Sequence, residues 1–357
     1  VKKDTSNQQQ QQQQQRSSSS AHRLLSPLDT IRTVAVVRVD GADTSTSKSA
    51  QELEEAIFDL DVVNIATQTN SCSYGESEIE SAGVYTIDLT DVNLIGKDRV
   101  EVYNMVLQNL EAGNETEGIT TNVDHLIVCT PPGVTRMGLV NWTAFAFFDG
   151  PGSIVNDNLC TSIGIGMFVT GLNLNLGVAP EKSGYMGGGL IADNAPQKCY
   201  NGANSYSLGW YKSFVKDMGA GRRRFDTRLV GIAELNYAVE STDAAIVKIP
   251  TFRGFYGDLF VSFNRQIGVN AETEQAGDLV MVTARKDDDD MAATSFLGTA
   301  SPGQALRVER FDSNRRNILI VTVNAIDTST VPGYAFVELK ICGLICQLYE
   351  RLAFFFS

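Results

Sequence analysis

The second half of the chain is built from short apolar runs separated by turn residues, and this pattern constrains the fold most strongly. The runs follow Arg228. They are Leu229–Ala233, Ala244–Ile249, Leu259–Asn264, Leu279–Arg285, Ala305–Phe311, Asn317–Val323 and Tyr334–Ile341. Runs of this length and spacing are typical of strands in a sandwich of two sheets. We therefore expect an all-β, sandwich-like region after about residue 228.

The first half alternates between strand-like and helix-like segments. Apolar, β-branched or alternating residues predict strands, whereas apolar residues three or four apart predict amphipathic helices. The predicted strands are Ile31–Val39, Gly83–Leu89 and Val123–Cys129, and the predicted helices are Ser49–Leu60 and Val100–Leu110. Helices packed on a mixed sheet, followed by a β-sandwich, place the chain in the α+β class.

These patterns divide the chain into four parts. Residues 1–30 form a glutamine- and serine-rich tail whose apolar content is too low to support a folded core. Residues 31–227 form the helix-containing domain, and residues 228–343 form the β-sandwich-like domain. Residues 344–357 form an apolar tail, and the apolar stretch Ile341–Phe356 is too short and too charged to span a membrane.

Composition narrows the possible partners and compartments. The formal net charge of -13 argues against nucleic acid as a partner, because phosphates repel an acidic surface. The basic triplet Arg222–Arg224 fits a solvated turn, with an anion or wall-polymer contact as the alternative. No signal peptide is visible, but the chain begins with Val1, so we expect an incomplete or processed N-terminus.

Two segments carry a resemblance to a known family. Cys199–Tyr211 reads CYNGANSYSLGWY, and Thr170–Pro180 reads TGLNLNLGVAP. Both segments resemble the active-site region of the gametolysin (autolysin) family, which are secreted zinc proteases of the metzincin type. The resemblance implies a metzincin-like domain over residues 31–227. It also implies an active-site helix, expected at Gly166–Gly177, and a methionine turn at Met186.

The same resemblance implies that the catalytic residues are missing. The family motif H-E-x-x-H-x-x-G-x-x-H places three zinc-binding histidines and a glutamate at positions that are Thr170, Gly171, Leu174 and Pro180 here. None of these side chains is a competent zinc ligand. We therefore expect no metal, no cofactor and no catalytic residue, although the family would bind zinc. Leu174 is expected to pack against Met186 or a close neighbour.

The cysteines suggest an oxidising compartment. Six are present, and four lie in the part that resembles gametolysins: Cys72, Cys129, Cys160 and Cys199. We pair Cys72 with Cys129 and Cys160 with Cys199, although four cysteines allow three connectivities. Disulfides would place the protein outside the cell or in the secretory pathway. Four buried free thiols are the alternative.

Two further signals concern the surface. The sequons at Asn114 and Asn141 predict N-linked glycosylation in a secreted protein. Asn114 lies in a polar, loop-like stretch, whereas Asn141 precedes Trp142 and is the one that could be buried. The acidic run Asp287–Asp290 fits a solvated loop, with a calcium site as the alternative.

Three hypotheses about function follow from these observations. The first is a catalytically inactive gametolysin-like protein that binds an extracellular matrix or cell-wall glycoprotein. The second is an active zinc metalloendopeptidase with unrecognised ligands, for which His125, Asp157 and Asp193 are candidates. The third is a decayed gene product without a selected function. Because the other histidine of the chain, His22, lies in the tail, His125 is the one ordered histidine expected.

Overall fold

The computed structural model describes residues 31–112, 123–187, 197–219, 221–251, 254–286, 293–313 and 317–343. Both predicted tails therefore lie outside the described residues. The same holds for Asn114, Asp193 and Asp287–Asp290.

Five α-helices lie in the described part of the chain: α1 Ala50–Phe58, α2 Ile65–Ser73, α3 Arg99–Ala112, α4 Ile163–Asn173 and α5 Gly202–Ser207. Two of them start with a capping box, in which the side chain and backbone of the cap residue bond to the third helical residue. Ser49 and Glu52 form this arrangement before α1, and Asn64 and Thr67 form it before α2. These local sequences fix where both helices begin. No described helix is long and apolar enough to span a membrane.

The strands form three five-stranded sheets. The first contains β1 Ile31–Gly41, β2 Glu78–Leu89, β3 His125–Thr130, β4 Ala144–Ala146 and β5 Gly152–Asn156. The second contains β6 Val215–Asp217, β9 Ile246–Ile249, β10 Asp258–Asn264, β11 Leu279–Arg285 and β12 Thr294–Ala300. The third contains β7 Arg224–Val230, β8 Asp243–Ala244, β13 Ala305–Glu309, β14 Ile318–Asp327 and β15 Tyr334–Cys342.

The first sheet has the order β2-β1-β3-β5-β4. The first four strands in this order are mutually parallel, and β4 pairs with β5 in the antiparallel direction at the edge. Successive residues of β1 pack into different buried clusters, because both faces of this strand are covered. Val36 belongs to the cluster that includes residues of α1, α2 and α4, and Val37 belongs to the cluster that includes residues of α3.

The second and third sheets share one apolar core. Val261 of β10 and Val321 of β14 are fully buried members of this cluster. Every one of the seven apolar runs contains strand residues, and the chain as a whole is α+β. The predicted domain boundary at residue 228 stays a prediction, and it falls within β7.

The first and second sheets are also joined by apolar packing. Ile246 and Phe260 of the second sheet belong to the same buried cluster as residues of α4 and the segment after Cys199. This contact places α4 between the first sheet and the β-rich half, so the candidate site lies in the interior of the molecule.

Candidate functional site

Helix α4 stops earlier than the sequence suggested. The prediction of a helix over Gly166–Gly177 was wrong at its end, because Asn175 adopts a left-handed conformation with φ 63. The Leu176 N–H then donates to the Gly171 carbonyl at 2.8 Å, and the Asn175 N–H donates to the Leu172 carbonyl at 3.1 Å. These two bonds form a Schellman motif, which closes a helix and turns the chain away from it.

Two of the four motif positions face a small cavity. Thr170 and Leu174 lie one helical turn apart, and both line a cavity of about 20 Å³ together with Tyr200 and Trp210. The remaining wall residues are Arg32, Thr69, Ser77, Glu78 and Ile79. A space of this size holds about one water molecule. It therefore offers no room for a peptide substrate.

The other two motif positions lie elsewhere. A Cβ placed on Gly171 would meet the Sδ of Met186 and lie 3.2 Å from the hydroxyl oxygen of Tyr200, so this position is filled by its neighbours. Pro180 is exposed. Leu174 is partly buried against the core cluster that contains Met186, and the predicted direct contact between Leu174 and Met186 stays a prediction. The four positions thus do not converge on one point.

The donor chemistry at these positions does not fit zinc. Thr170 supplies one hydroxyl, and glycine, leucine and proline supply no side-chain donor. Zinc in proteins is held by thiolates, imidazoles and carboxylates. Within the ranges that the structure describes, no group of three or more such residues is placed to hold a metal ion.

His125 and Asp157 do not form a substitute site. His125 begins β3, and the far end of that strand, Thr130, pairs with Asn156 of β5, which directly precedes Asp157. The separation between His125 and Asp157 along the sheet is therefore about 17 Å. The backbone N–H of Ser47 donates to the carboxylate of Asp157 at 2.8 Å.

The environment of His125 is apolar and positively charged. The side chain is 1 % exposed, and neither ring nitrogen has a hydrogen-bond partner among the described residues. Burial lowers the pKa of His125 to about 4, the charge of Arg32 acts in the same direction, and Asp124 opposes both. The imidazole is therefore neutral at pH 7 and belongs to the sheet core.

The disulfide pairing differs from the predicted one. Cys72 bonds Cys199, and Cys129 bonds Cys160. The predicted pairs Cys72–Cys129 and Cys160–Cys199 were wrong, because the packing of α2 and of the parallel strands decides which cysteines meet. Cys342 is disulfide-bonded as well.

Each observed disulfide has a neighbouring contact that explains it. Beside Cys72 in α2, the side-chain amide of Gln68 donates to the Lys198 carbonyl at 2.9 Å, which brings residue 199 to the helix. Cys129 pairs in register with Val155 of the adjacent strand β5, and Cys160 follows shortly after that strand.

The segment that most resembles gametolysins serves as scaffold. Asn201 caps α5, the Trp210 indole N–H donates to the Ser77 hydroxyl at 2.8 Å, and the Tyr211 hydroxyl donates to the Cys72 carbonyl. Trp210 and Tyr211 are both almost fully buried. These contacts join α2 and the start of β2 to the segment Cys199–Tyr211, which precedes the β-rich half.

Glu181 is a buried acid that sequence reasoning missed. It is 2 % exposed, and its Oε1 accepts from the Asn201 side-chain amide at 2.6 Å. Its Oε2 has no partner among the described residues. Burial raises the pKa of Glu181 above its ordinary value, and the hydrogen bond from Asn201 opposes this shift. A single glutamate after a proline gives no sequence signal of burial.

Strand β4 is the edge strand of the first sheet, and because its residue Ala146 is only 7 % exposed, the accessible part of this edge lies at the half-buried Ala144. The Phe147 N–H donates to the Gly152 carbonyl at 2.9 Å, and the Asn156 N–H donates to the Thr143 carbonyl at 3.0 Å. Because hydrogen-bonded residues alternate along an antiparallel strand, the N–H and C=O groups of Ala144 and Ala146 point away from β5. In the described part of the chain, no strand pairs with this outer side.

Asn141 lies just before this edge strand and is exposed. The sequence-based suggestion that it could be buried was wrong, because only its neighbour Trp142 turns inward, where the indole N–H donates to the Val134 carbonyl at 2.9 Å. Glycosylation at Asn141 stays a prediction.

Comparisons with known proteins give limited similarity. No protein-family model and no curated protein matches the chain. Among solved structures it is similar to an archaemetzincin from Methanopyrus kandleri, with a TM-score of 0.32, 14% identity, and coverage of 52% of this chain and 97% of that one. It is also similar to metalloproteinase-II from Bacteroides fragilis, with a TM-score of 0.32, 11% identity, and coverage of 52% of this chain and 54% of that one.

Proposed function

We propose that this protein is a metallopeptidase-like protein of the gametolysin type that has lost its catalytic metal centre. In this proposal it binds an extended segment of an extracellular or cell-wall protein. The observation that carries the proposal is the state of the motif positions. Thr170 and Leu174 line a cavity of water size, Gly171 is filled by Met186, and Pro180 is exposed. Without a metal there is no means to activate water or polarise a carbonyl in this reaction class.

The edge of β4 supplies the binding surface in this proposal. The outward N–H and C=O groups of the half-buried Ala144 can pair with a further strand, as in other proteins that recognise extended peptides. Main-chain hydrogen bonds of this kind give affinity without requiring catalysis. The strand is short, so we expect weak binding unless side chains of the bound segment add contacts.

An extracellular setting is consistent with the two intact disulfides. Structural disulfides persist in oxidising compartments and are rare in the cytosol. Cys72–Cys199 and Cys129–Cys160 both lie in the interior. The partner we infer is therefore a secreted or wall-associated polypeptide.

Two measurements test the loss of catalysis. The purified protein should contain no stoichiometric zinc by elemental analysis, and it should not cleave casein in the presence of added zinc. One equivalent of bound zinc with proteolysis that a chelator stops would favour the active endopeptidase instead.

Peptide binding tests the second half of the proposal. The probe is a capped eight-residue peptide of alternating threonine and valine, measured by fluorescence anisotropy. Replacement Ala144→Pro removes one outward N–H at the half-buried position of the strand and should weaken binding, whereas the matched control Ala144→Ser keeps that N–H and should not. A peptide methylated on alternate backbone nitrogens should bind no better than background. Equal binding by all of these would contradict recognition at the β4 edge.

A further inference from the structure

Arg99 is a buried arginine held between two aromatic rings. It is the first residue of α3, and its backbone N–H donates to the Thr135 carbonyl at 2.8 Å. The guanidinium carbon lies 5.2 Å from the ring centre of Trp142 and 4.6 Å from that of Phe145. The residue is only 7 % exposed. Stacking on both rings fixes the orientation of the planar guanidinium.

This guanidinium has no acceptor for its hydrogen atoms. In the described ranges, no carbonyl, hydroxyl or carboxylate accepts from Arg99, and its Nε is fully buried without a partner. The adjacent carboxylate of Asp98 is used elsewhere, since it accepts from the backbone N–H groups of Val100 at 2.9 Å and Met137 at 3.1 Å. Burying an unpaired N–H is costly, and the two terminal nitrogens, which are not among the buried unpaired atoms, remain available to donate to a ligand.

The surrounding charge increases this cost. Burial lowers the pKa of Arg99 from its ordinary value, the nearby charge of Arg136 acts in the same direction, and Asp98 opposes it. Arg136 is exposed and forms no ion pair among the residues described. Two arginines without a paired carboxylate therefore lie near each other in a protein whose formal net charge is -13.

Other arginines of the chain show the contrast. Arg228 also stacks on an aromatic ring, with its guanidinium carbon 4.1 Å from the ring centre of Tyr334, but it pairs with Asp243 at 2.5 Å. The partly buried Arg265 pairs with Glu234 and Asp278. The stacked Arg228 thus has a carboxylate partner, whereas the stacked and buried Arg99 has none among the described residues.

We propose that Arg99, assisted by Arg136, binds a carboxylate carried by the segment that pairs with β4. This inference rests on the proposed function and specifies its ligand as an acidic extended polypeptide. The N–H and C=O groups of Phe145 point toward β5. On an added antiparallel strand, the residue opposite Phe145 would therefore form a close, non-hydrogen-bonded pair with Phe145. Side chains of such pairs are in contact, and Arg99 stacks on Phe145. A glutamate or aspartate at that place can reach the guanidinium.

A carboxylate matches the geometry of the Arg99 guanidinium. A planar guanidinium presents parallel N–H donors to the two oxygens of a carboxylate, and hydrogen bonds between charged groups are stronger than neutral ones. A glutamine of the same size offers one carbonyl oxygen and no charge. The site should therefore discriminate between glutamate and glutamine at one position of the bound segment.

The experiment compares two capped peptides of alternating threonine and valine that differ in one central residue, glutamate or glutamine. We expect the glutamate peptide to bind the unmodified protein about tenfold more tightly, a preference that falls with added salt. Arg99→Gln should abolish the preference, and Arg99→Lys should retain only part of it, because lysine lacks the planar fork. Arg136→Gln, at an exposed position, should reduce the preference without affecting folding. Arg222→Gln is the matched control, since Arg222 also stacks on a ring, that of Phe225, in the β-rich half.

A second probe separates failure of this inference from failure of the proposed function. N-acetylglutamate amide, followed by the NMR signal of the Arg99 Nε–H, reports on the carboxylate site without any strand pairing. If both peptides bind equally, this inference is overturned while recognition at the β4 edge stands. If neither peptide binds but the amide shifts the Arg99 signal, the carboxylate site stands and edge recognition is overturned. If neither peptide binds and the signal is unchanged, both fail.

Discussion

Gly171 lies directly against Met186, and their contact leaves no space for a side chain at position 171. A Cβ at position 171 would overlap with the sulfur of Met186 and would lie 3.2 Å from the Tyr200 hydroxyl oxygen. Met186 is 1 % exposed and Tyr200 is 3 % exposed, so neither has solvent to move into. The packing of α4 is therefore adapted to a residue without a side chain at position 171, and it leaves no room there for a glutamate.

Introducing that glutamate should destabilise the protein strongly. Gly171→Glu would insert a carboxylate into a region enclosed by Met186 and Tyr200, where nothing neutralises it, and we expect a loss of more than about 3 kcal/mol in the free energy of unfolding. Gly171→Ala is the matched control and should lose less, because a methionine adapts to one methyl group and alanine favours the helix. Urea denaturation of the three proteins checks this order. Equal stability of Gly171→Glu and the unmodified protein would show that position 171 is open.

The stability of the protein should fall in mild acid because of His125. Its pKa of about 4 in the folded state lies below the ordinary value of 6.5, so the folded state disfavours the proton. The contribution of the neutral imidazole is thus fully present above pH 6.5, and it is lost progressively as the pH falls from 6.5 toward 4. The slope approaches about 1.4 kcal/mol per pH unit in this window.

Replacement of the imidazole isolates its part in this effect. His125→Leu removes the titrating group from β3 and should flatten the pH dependence between pH 6.5 and 5, where most carboxylates are still charged. The measurement is urea denaturation at several pH values for both proteins. Parallel stability curves for the two would mean that His125 is not the group responsible.

The sequence predicted most strands because their local pattern agrees with their place in the fold. Apolar β-branched residues identified β1 and the strands of the core that the second and third sheets share. The strand β12, Thr294–Ala300, was missed, because Phe296 and Leu297 are adjacent and do not alternate with polar residues, and Gly298 sits at φ 139 within it. The short β6 was missed as well, since three residues carry no periodicity.

The candidate site was less predictable, because it depends on contacts between distant residues. Asn175 could have signalled the end of α4, since asparagine follows glycine in preference for the left-handed position after a helix. The disulfide pairing depends on α2 lying beside the segment at Cys199, which no local pattern reports. No sequence pattern identified Arg99 as a site residue. Its stacking on Trp142 and Phe145 arises only when the first residue of α3 packs against β4 and the segment just before it.

The disulfide connectivity can be checked directly. Proteolysis of the oxidised protein without reduction should yield one peptide pair joined through Cys72 and Cys199 and another joined through Cys129 and Cys160. Removing either bond by paired alanine substitutions should cost about 2–5 kcal/mol, since each bond restricts the unfolded chain. The single variant Cys72→Ser should leave Cys199 reactive toward a thiol reagent. Labelling of Cys129 in that variant would instead support the Cys72–Cys129 pairing that the sequence suggested.

The exposed sequon at Asn141 should be glycosylated when the protein passes through a secretory pathway. Asn141 lies on the surface directly before Trp142, so an enzyme can reach its side chain while the indole anchors the loop below it. Its neighbours Leu139 and Val140 are 67% and 56% exposed, and a glycan there would cover apolar surface that otherwise favours association. We expect a mass shift on the peptide that contains Asn141 in protein secreted from eukaryotic cells. Asn141→Gln should abolish the shift and increase aggregation, whereas Asn141→Gln combined with Leu139→Ser should aggregate less than Asn141→Gln alone. An unmodified Asn141 in the secreted protein would contradict both the site and this account of the apolar loop.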